Sequence, residues 1–263
     1  MSRPTRLALI ALSLFLALAP AAIQQPSLPL APRGEEPSYL LATLSLLRDG
    51  DLVCDRGDLE RLFQVFPFAR NAPLELMRTT ADGPLLFAVP PLYPLLALPF
   101  TAAAGSHGPL VLNALLLVLC LWLATGYLRR YNGGAVALLF GAGFVLASSA
   151  FAYAFWVHPE VLTMTLVLAA LVLGWSAPAG GRERRWTASG GRLATSGLAL
   201  GLATSLLPGA GLLALPLALR QRRGARLVLL LAAAVAGWAL AAGWTLRLTG
   251  GEAPIARFTA AVD

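Results

Sequence analysis

Five stretches of this chain, residues 7–23, 109–128, 135–156, 158–176 and 227–246, are long, apolar and free of ionisable side chains in their interiors. As helices they extend up to about 33 Å, the length needed to cross a bilayer. A water-soluble core cannot absorb so many such runs. The balance of residues agrees: 57% are hydrophobic, 13% are charged and mean hydropathy is +0.71. These values imply a single polytopic integral membrane domain over residues 1–263, all-α and without a separate soluble domain.

Two further apolar stretches, 85–104 and 194–219, could each be a crossing or not, and arginine placement decides between the options. If both crossed once, Arg129-Arg130 and the Arg182 to Arg192 group would lie opposite Arg3 and Arg6, against the tendency of cytoplasmic loops to hold the basic residues. If 85–104 stays on the outer surface and 194–219 is a hairpin, every cluster falls inside. The inside then carries Arg3, Arg6, Arg129, Arg130, Arg182, Arg184, Arg185, Arg192, Arg220, Arg222, Arg223 and Arg226 against Glu183, or +11. The outside carries eight arginines against twelve acids, or −4, and together these give the net +7 of the chain.

The proline pattern supports the same count. Pro90, Pro91, Pro94 and Pro99 crowd the first stretch, which suits an interfacial or re-entrant helix starting near Leu92. Pro208-Gly209 splits the second stretch. The expected fold is therefore a helical bundle of about five spans plus a short hairpin, with the N-terminus cytoplasmic and residues 24–108 forming a large first outer loop with interfacial helices. Residues 1–21 also match a signal peptide, with Ala19-Pro20-Ala21 as its cleavage site, and leave the downstream topology unchanged. Cys54 and Cys120 fall at different depths, which argues against a disulfide. In a membrane chain the positive charge follows this topology and needs no nucleic-acid partner.

Nine of the thirteen acids lie in the first outer loop: Glu35, Glu36, Asp49, Asp51, Asp55, Asp58, Glu60, Glu75 and Asp82. Glu35 and Glu36 open a helix over Tyr39 to Leu47, with Pro37 in its first turn and Gly50 beyond its end. A carboxylate at the membrane surface is able to take a proton from an attacking hydroxyl. Solvated helix-start acids account for the same two residues. Turn formation and capping account for Asp49-Gly50-Asp51 and for Asp55 to Glu60. A divalent cation has no recognisable ligand spacing here, and no cofactor motif is present. The second outer loop is Trp156-Val157-His158-Pro159-Glu160, where Pro159 and Glu160 suit a helix start and Tyr153, Phe155 and Trp156 suit an interfacial aromatic belt.

Together, Gly34-Glu35-Glu36-Pro37-Ser38-Tyr39, Ser45-Leu46-Leu47-Arg48-Asp49-Gly50-Asp51, Pro91-Leu92-Tyr93-Pro94-Leu95-Leu96 and His158-Pro159-Glu160 resemble the bacterial GT-C membrane glycosyltransferases. These include relatives of protein mannosyltransferases and of aminoarabinose transferases. The family pattern after the first helix is close to Gly-Asp-Glu-Pro-His-Tyr, with the Asp read as the catalytic carboxylate. Glu35 stands in that place, one methylene longer.

The resemblance implies an enzyme of the bacterial inner membrane that takes sugar from a polyprenyl-phosphate carrier on the outer face. It implies Glu35 and Glu36 as the catalytic acids, and Glu160 and His158 beside the substrate. Arg33, Arg48 and Arg78 are the candidate cations for the lipid phosphate, by location. Where many members place Lys or Arg in the fifth hydrophobic segment, this chain has Leu206-Leu207-Pro208-Gly209.

The resemblance covers the N-terminal half of a typical member, so a truncated product or one needing a partner subunit is also expected. A non-catalytic protein binding a lipid or a partner is the principal rival. A transporter is a third reading, and it predicts ionisable groups inside the spans.

Overall fold

The computed structural model describes residues 1–22, 35–65, 73–175, 190–219, 221 and 224–249, together with the backbone of 256–261. In chain order the helices are α1 (Arg3–Leu18), α2 (Glu36–Arg48), α3 (Arg56–Val65), α4 (Leu92–Ala104) and α5 (Gly108–Leu128). They continue with α6 (Gly134–Leu146), α7 (Glu160–Trp175), α8 (Gly190–Leu206), α9 (Ala214–Leu219) and α10 (Gly224–Leu248). Three strands, β1 (Pro73–Arg78), β2 (Leu86–Phe87) and β3 (Ala256–Ala261), form one antiparallel sheet in the order β2-β1-β3. The protein is thus predominantly helical, and the small sheet is a departure from the all-helical expectation. Its signal is visible in hindsight: Leu74 and Leu76 alternate with Glu75 along β1, and both leucines are buried.

Three helical runs among the described residues are long and apolar enough to cross a membrane: Arg3–Ala21, Leu92–Leu128 and Gly224–Leu248. The second is not one straight rod. Gly105 takes φ 60°, and a Cβ on Gly108 would collide with the backbone of Thr101, seven residues earlier. Seven residues of straight helix would hold them about 10 Å apart. The Tyr93 hydroxyl also donates to Pro109 O at 3.2 Å and to Asn113 Oδ1 at 3.1 Å, so α4 folds back along the start of α5. The crossing length in this run belongs to α5, whose 21 residues extend about 31 Å.

The chain divides into two compact units. The first comprises Met1–Leu16, Leu115–Phe151 and Pro159–Ala242. Its helices carry large apolar side chains on their outsides, among them Leu7, Leu14 and Phe15 on α1, Leu139 and Phe140 on α6, and Val228, Val235 and Trp238 on α10. Water would penalise such a surface; a hydrocarbon environment would not.

Close helix contacts in this unit rest on small residues. A Cβ on Gly197 or Gly201 of α8 would run into the carbonyl oxygens of Leu230 and Ala234 on α10, and one on Gly237 of α10 into that of Leu198. This four-residue spacing of glycines brings two helix backbones together where lipid supplies no hydrophobic drive. On the other side of α8, Ser196 Oγ donates to Ala170 O of α7 at 2.7 Å. α8 ends before Pro208, and a 3₁₀ turn over Pro208–Leu213 leads to α9, so the break expected at Pro208-Gly209 is present. The halves are unequal, however, because α8 runs 17 residues and α9 six.

The expected crossing at 135–156 is shorter than its apolar run. α6 stops at Leu146 after 13 residues, and a 3₁₀ turn follows over Ser149–Ala154. Ser148 is the local reason: its hydroxyl donates to Val145 O at 3.5 Å and accepts from Ala150 N at 3.3 Å. Serine hydroxyls offer backbone groups an alternative to helical bonds in this way.

The second unit comprises Ala17–Ala114, Ala152–His158 and Gly243–Asp263. Its core gathers Leu40, Leu41, Leu52, Leu62, Leu74, Phe87 and Tyr93. α2 is buried continuously from Glu36 to Leu46, its apolar circumference covered by α4, α3 and β1. Gly50, at φ 79°, turns the chain out of it.

Asp55 and Asp58 start α3 by reciprocal capping, with Asp58 N–H donating to Asp55 Oδ1 at 3.0 Å and Asp55 N–H to Asp58 Oδ2 at 3.3 Å. Arg61 pairs with both Asp58 and Asp49. These acids have the structural roles expected of them. Cys54 and Cys120 are free thiols.

Candidate functional site

The second unit brings the start of α2, the start of α4 and the turn before α7 into one cluster. Pro37 sets the first turn of α2, leaving Glu35 exposed at its N-cap and Glu36 buried one residue on. Glu36 Oε1 accepts the Val157 N–H at 3.1 Å, across 121 residues of sequence. One turn further along α2, Tyr39 is buried against Tyr93 of α4, edge to face at 5.6 Å, and against His158 at 5.8 Å. His158 also faces Tyr153 at 5.7 Å, and Tyr153 meets Trp156 at 6.2 Å.

Asn113 of α5 holds the 153–158 turn in place. Its side-chain amide, wholly buried, donates to the carbonyl oxygens of Tyr153 at 3.0 Å, Trp156 at 2.9 Å and His158 at 3.3 Å. Its Oδ1 accepts from Tyr93. One residue thereby serves three turn carbonyls from a buried position. On the β side, Ser38 Oγ accepts the Glu75 N–H at 2.8 Å and ties β1 to the first turn of α2.

The electrostatics separate the acids. Partial burial, and then the nearby Glu75 carboxylate, hold Glu35 above the ordinary range for a glutamate. Burial, and then Glu35, push the Tyr39 phenol up as well, so it stays protonated. Burial lowers His158, which favours its neutral imidazole. The result is a surface carboxylate with enhanced basicity, next to a second carboxylate and a wall of aromatic rings.

The other expected site residues fall elsewhere. Glu160 is exposed in the first turn of α7, within the first unit. Arg48 is exposed in the last turn of α2, whose 13 residues put it about 18 Å along the axis from Glu36. It therefore does not share the Glu35 end of that helix. Arg78 is exposed at the end of β1 and donates to Ala81 O of its own turn at 3.2 Å. Arg33 lies outside the described residues.

Among the described residues no three His, Cys, Asp or Glu side chains converge as a metal site. Sequence reading missed Glu75, Asn113 and the Tyr39–Tyr93 contact as parts of the site. Asn113 was the detectable one, as the sole amide within a 20-residue apolar run.

The long apolar helices point to a membrane protein, with its acidic and aromatic cluster in the second unit. No family model, no curated protein and no solved structure matches the chain.

Proposed function

We propose that this protein is a membrane glycosyltransferase that moves a sugar from a polyprenyl-phosphate carrier to an acceptor on the outer face of a bacterial inner membrane. In this reading the chain crosses about five times, with its N-terminus and arginine clusters inside. The observation that carries the proposal is the convergence of the Glu35-Glu36-Pro37-Ser38-Tyr39, Tyr93 and His158 segments, which lie far apart in the sequence. Those are the segments on which the resemblance to GT-C enzymes rests.

In the proposed reaction an acceptor hydroxyl attacks the anomeric carbon, Glu35 takes its proton, and the bond from that carbon to the carrier phosphate oxygen breaks. Partial burial, and then the Glu75 carboxylate, raise the proton affinity of Glu35, the direction that makes it a stronger base. Glu36, engaged by the Val157 N–H, is assigned a positioning role. Tyr153 and Trp156 offer aromatic faces on which a sugar can stack.

A second reading, a non-catalytic protein that binds a lipid or a partner subunit, draws support from Arg48, which lies at the opposite end of α2 from Glu35. Membranes carrying wild type or Glu35→Gln, supplied with labelled polyprenyl-phosphate sugar, separate the two. Loss of transfer by at least about a hundredfold at equal membrane levels is expected for a general base. Unchanged transfer would remove Glu35 from the chemistry, and absence of transfer in both would favour the binding protein.

A further inference from the structure

The first unit contains a cavity with a chemistry of its own. α1 and α5 run antiparallel, with Trp122 Nε1 donating to Ser13 Oγ at 2.9 Å. Two helical turns from that contact on each helix stand Arg6 and Arg129. Here a cavity of about 320 Å³ is lined by both arginines, with Leu9, Ile10 and Trp122 among the rest of its wall. That volume is at the lower end of the range for small-ligand sites, about 300–1,000 Å³.

Neither guanidinium pairs with a carboxylate among the described residues. The neighbouring Arg130 has an engagement of its own, over the ring of Tyr127 at 5.7 Å. Two like charges lining one small cavity repel unless an anion stands between them, and guanidinium forks match phosphate oxygens.

The apolar part of the wall decides the kind of anion. Ile10 and Trp122 are 48% and 50% exposed, and the same outer surfaces continue through Leu14 on α1 and Leu119 on α5. A hydrophilic anion would make no use of them; acyl chains would cover them.

We propose that this cavity seats the phosphate of an anionic phospholipid between Arg6 and Arg129, with its acyl chains along Ile10 and Trp122. The binding is independent of sugar transfer.

The test is native mass spectrometry of the full chain in neutral detergent, titrated with dioleoyl phosphatidylglycerol or dioleoyl phosphatidylcholine. Wild type, Arg6→Gln, Arg129→Gln and Arg226→Gln would be compared, the last removing a charge on α10 that does not line the cavity. Preference for the anionic lipid is expected in wild type, lowered about tenfold by either cavity substitution and less than about twofold by Arg226→Gln. No preference, or equal losses in all three variants, would overturn the site and leave only general charge attraction. Displacement of the lipid by millimolar inorganic phosphate would overturn the lipid assignment in favour of a free anion. If the glutamine variants do not fold, Arg6→Lys and Arg129→Lys serve instead, with about threefold weaker binding expected because the charge stays and the fork is lost; wild-type affinity in both would overturn the proposal.

Discussion

Asn113→Ala tests whether a buried amide holds the candidate site together. The side chain is fully buried, its amide approaches three carbonyl oxygens between 2.9 and 3.3 Å, and its Oδ1 accepts from Tyr93 at 3.1 Å. An NH₂ group has two hydrogens, so two strong bonds are made at a time and the third carbonyl shares one. The Tyr93 hydroxyl keeps Pro109 O as a partner after truncation, whereas the carbonyls of Tyr153 and Trp156 lose the Asn113 amide. Two net hydrogen bonds at about 1 kcal/mol each, plus the desolvation of the abandoned carbonyls and a small cavity, give a loss of roughly 2–4 kcal/mol. Reversible unfolding in mixed micelles with rising dodecyl sulfate would measure it. Adding Tyr93→Phe completes a double-mutant cycle, with a coupling of about 1 kcal/mol expected for the shared bond. A cost of Asn113→Ala below about 0.5 kcal/mol, with no coupling, would refute the reasoning and mean that water or relaxed backbone satisfies the turn as well as the amide does.

Three further outcomes are expected. Gly201→Ala places a methyl group on the Ala234 carbonyl and should force α8 from α10 at about 1–3 kcal/mol, whereas Gly143→Ala, with open space around it, should be neutral in the same unfolding assay. Burial holds the Asp58 carboxyl at about 6, above its ordinary 3.8. Its folded form therefore binds the proton more tightly than its unfolded form, and the associated stability is complete below about pH 4 and lost as pH rises to about 6, on the order of 2–3 kcal/mol. Unfolding of Asp58→Asn across that window should lack this step, and persistence of the full step would assign it to another group. Gly105→Ala should cost about 1–3 kcal/mol although nothing crowds it, because its φ of 60° and ψ of −138° suit glycine alone; a neutral result would show that the α4–α5 turn has another accessible geometry.

Much of the helical layout was legible in the sequence because hydropathy, proline and glycine act locally. The apolar runs mark α1, α5, α7 and α10, Pro91 sets the start of α4 at Leu92, and Pro208 ends α8. The antiparallel packing of α1 and α5, which brings Arg6 and Arg129 to one cavity, is a tertiary feature that the hydropathy pattern does not register. Ser148, which ends α6 early, acts through a hydroxyl bond that a hydropathy pattern does not register. The sheet was missed because the longer of the two pairings β1 makes is with β3, about 180 residues away, and strand pairing is set by such partners more than by local preference.

For the candidate site, the sequence by itself marked the Glu35-Glu36 pair at a helix start and His158 beside Pro159 as candidates. Only the tertiary structure decided the surroundings of each. It exposes Glu35 near Glu75, buries Glu36 beneath the Val157 N–H, sets the Tyr39 ring against Tyr93 and His158, and carries Arg48 to the other end of α2. Proton affinity and hydrogen-bond geometry depend on what surrounds a group in space, and for these residues the surroundings come from segments as much as 121 positions away.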